Sequence, residues 1–230
     1  MKKGTLYGIG VGPGDPKLLT LKAVEIISAC PVVAAPVVGS GRTTALDIAA
    51  QAVELSGKKQ LMLPTLMQKD AAKLEESHQK AAALLRQELD AGHDVAVLNL
   101  GDISIYASFA YWKNILEKEG YSAVMVPGIP SFCAVAAELG ISLTTMDSPL
   151  HIIPADTEAL APCLDLKGTK ILMKSGRKLE GVIAELKERG KLSTSAMVQN
   201  CGLPGQRIVR ELDREEYDKE AYFSTLVVKG

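Results

Sequence analysis

Residues 5–29 read TLYGIGVGPGDPKLLTLKAVEIISA, and the fold follows from how this stretch is parsed. A short apolar run at 5–11 gives way to glycines at 8, 10, 12 and 14, then to Asp15-Pro16. Beyond it, Leu18, Leu19, Leu21, Val24, Ile26 and Ile27 share a broad helical face over 17–29. Asp15 can accept hydrogen bonds from the free N–H groups at the helix start, and Pro16 suits its first position. Strand, glycine turn and helix make the opening of an α/β unit, and the next hundred residues repeat it. Strands are expected at 31–38, 59–63, 95–100 and 123–126, and helices at 43–55, 70–91, 109–119 and 131–139. Gly92, Gly120 and Gly140 stand where helix ends call for a left-handed residue. The runs 95–100 and 123–126 are almost wholly apolar, as strands buried on both faces are. A mostly parallel sheet with helices on both faces follows.

The rhythm pauses at ISLTTMDSPLHIIPAD, residues 141–156, which carries two prolines and little periodicity. This places a boundary between an N-terminal α/β domain, 1–147, and a C-terminal α/β domain, 148–230. The second domain is expected to hold strands at 150–153, 170–173 and 194–198, with helices at 157–164 and 179–189. Its last β-runs, 206–212 and 222–228, have no long helix between them. They therefore pair antiparallel and make the second sheet mixed.

Composition removes several function classes. Of 230 residues, 47% are hydrophobic and 23% charged, ordinary for a soluble globular chain with a real core. Lys plus Arg number 26 and Asp plus Glu 27, a net charge of −1, so there is no basic surplus for nucleic acid. No apolar run approaches the ~18 residues of a membrane span, and the N-terminal apolar stretch is too broken by glycine and Pro13 to read as a signal peptide. Cys30, Cys133, Cys163 and Cys201 form no CxxC pair; they fit neither a disulfide framework nor a zinc site, and a reducing cytoplasm suits them. His78, His93 and His151 are not spaced as ligands on one helix face, so no protein-bound metal is expected.

In open α/β sheets ligands bind at the carboxyl ends of strands, and three strand-to-helix loops stand out. The first, Gly8 to Pro16, invites a dinucleotide reading, but GxGxxG fails in both registers, with Pro13 or Asp15 where the third glycine belongs. The acidic residue that would hold a ribose is also absent, since the second strand ends Val33-Ala34-Ala35-Pro36. No GxxxxGK[ST] exists, so a P-loop is excluded. Glycine here still lets a backbone approach a ligand; a ligand-free tight turn is the plain alternative. The second loop is GDISIY, 101–106, where Asp102 either binds a ligand hydroxyl or caps the next helix. The third is VPGIPSFC, 126–133, with Ser131 as the expected N-cap and Cys133 as a small core residue rather than a nucleophile.

Taken in order, these loops resemble those of the tetrapyrrole methylases, enzymes that use S-adenosylmethionine. The resemblance rests on GVGPGDPKLLTLKA at 10–23, GDISIY, VPGIPS, and the AxxxGIxL pattern at 137–143. The combination of SIY with VPGIPSFCAVAAELGISL is most similar to the branch that methylates a meso carbon, C-20, of precorrin-2 or cobalt-factor II in cobalamin synthesis. The resemblance implies two α/β domains with the cofactor in a cleft between them, and a homodimer. It also implies that Pro13, Gly101, Asp102, Ile103, Tyr106, Pro130 and Ser131 hold the cofactor. Lys174 and the strand end near Ala196 and Met197 join them from the second domain. Ile103 departs from the proline usual after this Asp, which matters little if the contact is through backbone N–H. The Asp that some relatives carry at the end of the second strand is replaced by Ala34-Ala35-Pro36.

S-adenosylhomocysteine is the product that the resemblance implies. The accepting carbon is already electron-rich, so positioning rather than an activated nucleophile is required. Asp102, Tyr106 and His151 are candidate acceptors for the proton lost afterwards; a hydrogen-bonded, packed aromatic is the plain reading of Tyr106. The macrocycle carries many carboxylates, which Arg42, Lys174, Arg177 and Lys178, all in loops after strands, are candidates to meet. Methylation at another tetrapyrrole position, and a non-catalytic module that binds S-adenosylmethionine, are the other readings.

Overall fold

The computed structural model describes residues 2–37, 43–66, 70–158 and 160–230, without the side chain of Arg177. Arg42 therefore lies outside the described residues. The chain divides into two compact units, Met1–Pro130 and Ser131–Gly230. This division falls earlier than the break expected at 147, because the helix Ser131–Leu139 packs on strands of the second sheet.

In the first unit, β1 (Leu6–Gly10), β2 (Val32–Val37), β3 (Lys59–Pro64), β4 (Val95–Asn99) and β5 (Ala123–Val126) form one sheet in the order β3-β2-β4-β1-β5. Every pairing in it is parallel. Helices α1 (Leu21–Ala29), α2 (Thr44–Ala49), α3 (Ala71–Asp90) and α4 (Phe109–Lys118) make the crossovers. The chain steps one way across the sheet from β1 to β3 and the other way from β3 to β5. Right-handed crossovers then place α1 and α2 on one face and α3 and α4 on the other. The α3/α4 face buries Leu6, Val32, Ala34, Leu63, Val95 and Val97 against Ala81, Leu85, Leu89, Phe109, Trp112 and Leu116.

Two helices depart from the sequence expectation. The helix expected from residue 17 is broken. Asp15 caps only a single 3-10 turn, Pro16–Leu18, its carboxylate accepting from the Lys17 N–H at 2.8 Å. Leu19 and Thr20 are then extended, and the Thr20 hydroxyl caps α1 by accepting from the Ala23 N–H at 3.1 Å. Two cap residues five positions apart define two starts, and the apolar periodicity runs through both. Helix α2 stops at Ala49, short of the expected 55.

One ionic cluster ties the β3 edge to α3. Glu88 is buried; its carboxylate accepts from the Lys59 ammonium and faces His93 Nδ1 at 3.1 Å. The bond from Lys59, with that from His93 and the two nearby charges, outweighs burial and holds the carboxyl below its ordinary value of 4.5. A depressed carboxyl contributes stability above its unfolded pKa and loses it as pH falls through the folded value. Glu88→Gln should therefore cost about 1–2 kcal/mol at neutral pH, with the difference from wild type shrinking only as pH falls below the ordinary carboxylate range and through the depressed folded value. Urea midpoints measured across pH check this, and a difference independent of pH would contradict it.

The second unit opens with α5 (Ser131–Leu139), in which Ser131 is the first helical residue rather than the cap. Strands β6 (Leu150–Pro154), β7 (Thr169–Met173), β8 (Ser195–Gln199), β9 (Arg207–Val209) and β10 (Ser224–Val228) form a mixed sheet in the order β6-β7-β10-β8-β9. Only β6 and β7 pair parallel; β10 is antiparallel to β7 and β8, and β9 to β8. The antiparallel end is as expected, although β9 is shorter than the run 206–212. Helices α6 (Leu160–Leu164) and α7 (Leu179–Glu188) help enclose a separate core around Ile153, Leu172, Met197, Val209 and Leu226.

Candidate functional site

The three loops singled out by sequence leave β4, β1 and β5, which are neighbours in the first sheet. The connections from β1 and β4 depart to opposite faces, so a switch point lies between them, where open α/β sheets take ligands.

At this edge the loops touch through backbone. Gly12 and Gly101 form an antiparallel bridge: the Gly12 N–H donates to the Gly101 carbonyl at 3.1 Å, and the Gly101 N–H to the Gly12 carbonyl at 2.7 Å. A Cβ on Gly10 would lie 2.6 Å from the Gly101 carbonyl oxygen and 2.7 Å from the Gly128 nitrogen. A Cβ on Gly128 would lie 2.4 Å from the same carbonyl oxygen and 2.6 Å from Gly10 backbone atoms. Only glycine allows three backbones to come this close. This is what the glycines at 10 and 128 are for, beyond any turn they make.

Asp102 fastens the contact. One carboxylate oxygen accepts from the Ser104 N–H at 2.8 Å and from the Ser104 hydroxyl; the other accepts from the Gly128 N–H at 2.8 Å. None of these bonds comes from α4, so Asp102 does not cap that helix. Burial pushes its carboxyl up, and the bonds from Ser104, Gly128 and Ile103 outweigh it, leaving the group below its ordinary value. Ile103 anchors the loop from beneath, its side chain buried beside Phe109 and Trp112. Pro13 is buried in the first loop, while Ser104 and Tyr106 form an exposed rim and Pro130 is half-buried. Tyr106 holds a backbone φ of 51°, which costs a side-chain-bearing residue energy and tends to mark functional positions. Burial raises its hydroxyl pKa.

Sequence reasoning missed Asn99, the last residue of β4 and 4% exposed. Its Nδ2 has no hydrogen-bond partner among the described residues. A buried donor left unpaired is costly and asks for an acceptor. Its signal was available: a lone polar residue at the end of the apolar run 95–98.

The second unit carries the other expected positions. Lys174 follows β7, exposed and at φ 56°. Lys178 spends its ammonium on the Asp156 carbonyl oxygen at 2.7 Å. Ala196 and Met197 are not at a strand end as expected. Strand β8 continues to Gln199, paired with Ser224, and the Met197 side chain is fully buried in the second core. The strand end is Gln199-Asn200, with Asn200 at φ 50°. His151 lies near the start of β6, away from its carboxyl end, and its Nε2 is 2.9 Å from the Lys167 carbonyl oxygen. Cys133 is exposed on α5 rather than in the core. Among the described residues no group of three or more His, Cys, Asp or Glu could hold a metal ion, and no helix is long and apolar enough to cross a membrane.

A parallel sheet with glycine-relieved loops meeting at its switch point, followed by a mixed α/β unit, defines a class of enzyme-like two-unit folds, and comparison places it. The family model of tetrapyrrole (corrin/porphyrin) methylases matches residues 5–215, and the chain belongs to that family. It is 30% identical over 237 residues to the cobalamin biosynthesis protein CobIJ of Mycobacterium bovis, covering 99% of this chain and 46% of that protein. The chain thus spans about half the length of that relative. It is 30% identical over 232 residues to the cobalt-precorrin-2 C(20)-methyltransferase of Salmonella typhimurium, covering 98% of this chain and 96% of that one. The fold matches the uroporphyrin-III C-methyl transferase of Thermus thermophilus complexed with S-adenyl homocysteine, with a TM-score of 0.71 at 22% identity. That match covers 98% of this chain and 92% of the other.

Proposed function

We propose that this chain is an S-adenosylmethionine-dependent C-methyltransferase that methylates the meso carbon C-20 of precorrin-2 or cobalt-factor II in cobalamin biosynthesis. The observation that carries the reading is the meeting of the three loops at the sheet's switch point, in a chain of this family whose full-length relative bears that activity in its name. The residues suit a nucleoside with a charged tail. Backbone is laid bare by glycine, Ile129 and Pro130 offer apolar surface, and Asn99 keeps a buried donor without a partner among the described residues.

When bound, the cofactor supplies a methyl group on a positively charged sulfonium. The chain's part is to place the accepting carbon in line with it, about 3–3.5 Å away, and to keep it there. Gly101, Ile103 and Pro13 line the cofactor through backbone and ring, with Tyr106, Pro130 and Ser131 at its margins. Asp102 serves as the clasp between loops: both oxygens are engaged, so it is a poor receiver for the departing proton. Tyr106, its pKa raised, stays neutral at pH 7 and donates a hydrogen bond rather than acting as a base. The proton then leaves to solvent or to the macrocycle itself. Lys174, Arg177 and Arg42 meet the substrate's carboxylates. Lys178 joins them only through the loop it braces. The chain works as a homodimer in the cytoplasm, a setting that its four free cysteines suit.

Calorimetric titration tests the cofactor directly. S-adenosylmethionine should bind and NADH should not; NADH binding without S-adenosylmethionine binding would reject the proposal. Sedimentation at twice 24.5 kDa tests the dimer, and sedimentation as a monomer would remove it.

A further inference from the structure

At the carboxyl edge of the second sheet lies a buried polar network that the proposed reaction does not use. Gln199, at the end of β8, is 1% exposed. Its Nε2 donates to the Asp218 carbonyl oxygen at 2.7 Å and to the Ser224 hydroxyl at 2.8 Å, and its Oε1 accepts from the Asp218 N–H at 2.9 Å. The Ser224 hydroxyl donates to the Ala221 carbonyl at 2.9 Å, and the Ser175 hydroxyl to the Ser224 carbonyl at 3.0 Å. The Asn200 N–H donates to the Phe223 carbonyl at 2.8 Å. The long connection between β9 and β10, residues 210–223, is thereby bonded to both neighbouring strand ends, β7 and β8. Fully satisfied buried networks of this kind fix a single conformer.

What the network holds in place is Tyr222. The residue is 51% exposed. It packs edge-on against Phe223, with ring centroids 5.0 Å apart and planes at 80°. It leans on the first turn after β7, where a Cβ on Gly176 would come within 3.8 Å of it. The residues that close β7 and β8, Lys174 and Asn200, both sit at positive φ. Strained backbone on either side of a fixed, exposed aromatic ring marks a surface arranged for contact.

We propose that Tyr222, held by Gln199, is a platform for the flat face of the tetrapyrrole, with Lys174, which closes β7 two residues before Gly176, for a rim carboxylate. This rests on the function proposed above. A conjugated macrocycle offers a broad apolar face with charges only at its edge, and an aromatic ring with a neighbouring cation complements both parts. Gln199 is a positioning residue; Tyr222 is the one that touches.

The test measures two affinities in parallel on each protein: cobalt-factor II by its absorbance change, and S-adenosylmethionine by calorimetry. Tyr222→Ala should weaken cobalt-factor II about tenfold and leave S-adenosylmethionine within about twofold. Tyr222→Phe, which keeps the ring, should restore wild-type binding. Gln199→Met should weaken cobalt-factor II like Tyr222→Ala; should it fail to fold, the two Tyr222 variants still decide. Equal cobalt-factor II binding by wild type and Tyr222→Ala overturns the platform alone. Loss of S-adenosylmethionine instead of cobalt-factor II overturns it in favour of an adenine contact. A wild-type protein that binds no tetrapyrrole overturns the functional reading and the platform with it.

Discussion

Gly128→Ala should leave a folded protein that no longer binds S-adenosylmethionine measurably. The added methyl would lie 2.4 Å from the Gly101 carbonyl oxygen and 2.6 Å from Gly10 backbone, and none of these atoms belongs to a side chain that can swing away. Forced overpacking of this kind costs about 1–3 kcal/mol where a core can adjust. Here the adjustment must part the loops after β1, β4 and β5, because the Asp102 bond to the Gly128 N–H is carried along with them. Cofactor affinity should therefore fall at least about a hundredfold, which corresponds to some 2.7 kcal/mol. The proper control is Gly181→Ala in α7, where nothing lies within 4 Å of the new Cβ. It should raise stability by about 0.5–1 kcal/mol and leave binding alone. Thermal melts with calorimetry on both variants read the outcome; a Gly128→Ala protein that binds like wild type would show that the loop contact is incidental.

The second large effect is expected at Asp102. Asp102→Ala frees the Gly128 N–H and both Ser104 donors at once. Hydrogen bonds to a charged group contribute about 1.5–3 kcal/mol each, and some of that loss is recovered by water reaching the exposed Ser104. Cofactor affinity should drop by about ten- to a hundredfold, with a smaller loss of overall stability. Asp102→Asn, which keeps one acceptor but turns a donor toward a donor, should fall between. The wild-type carboxyl lies below its ordinary value of 3.8, so its contribution is present above that pH and lost as pH falls through the folded value. Wild-type affinity should thus not vary with pH through this group between about pH 5 and 8. Calorimetry on the three proteins at several pH values checks this; unchanged affinity in Asp102→Ala would reduce the residue to a local turn.

Much of this architecture could be read before any coordinates. Buried parallel strands are written in near-continuous apolar runs, and β4 is one, buried along its whole length; the run 123–126 reads alike but forms the edge strand β5, with Val124 and Met125 exposed. The glycine loops were also visible, as was the antiparallel close of the second sheet. The failures have physical causes. The break at Leu19-Thr20 was hidden because apolar periodicity continues across it while hydroxyl capping does not announce itself. The expected boundary at 147 and the division at 130 differ because the pause at 141–156 is a composition signal, whereas the division follows packing, and α5 packs on β8 and β10. Ala196 and Met197 lie inside β8, which ends one residue past the expected 198. Its last residue, Gln199, is polar, buried and bonded, which reads in sequence as a turn rather than as sheet. The role of Asp102 lay beyond sequence altogether, since its partner Gly128 is 26 positions away and only the β4-β1-β5 order brings them together.

The most direct trial of the whole account is to supply the protein with S-adenosylmethionine carrying an isotope-labelled methyl group, together with precorrin-2 or cobalt-factor II, and to locate the label in the product by NMR. The account predicts one labelled methyl, bonded to C-20. Label at any other carbon, or a protein that binds both molecules and transfers nothing, would contradict it.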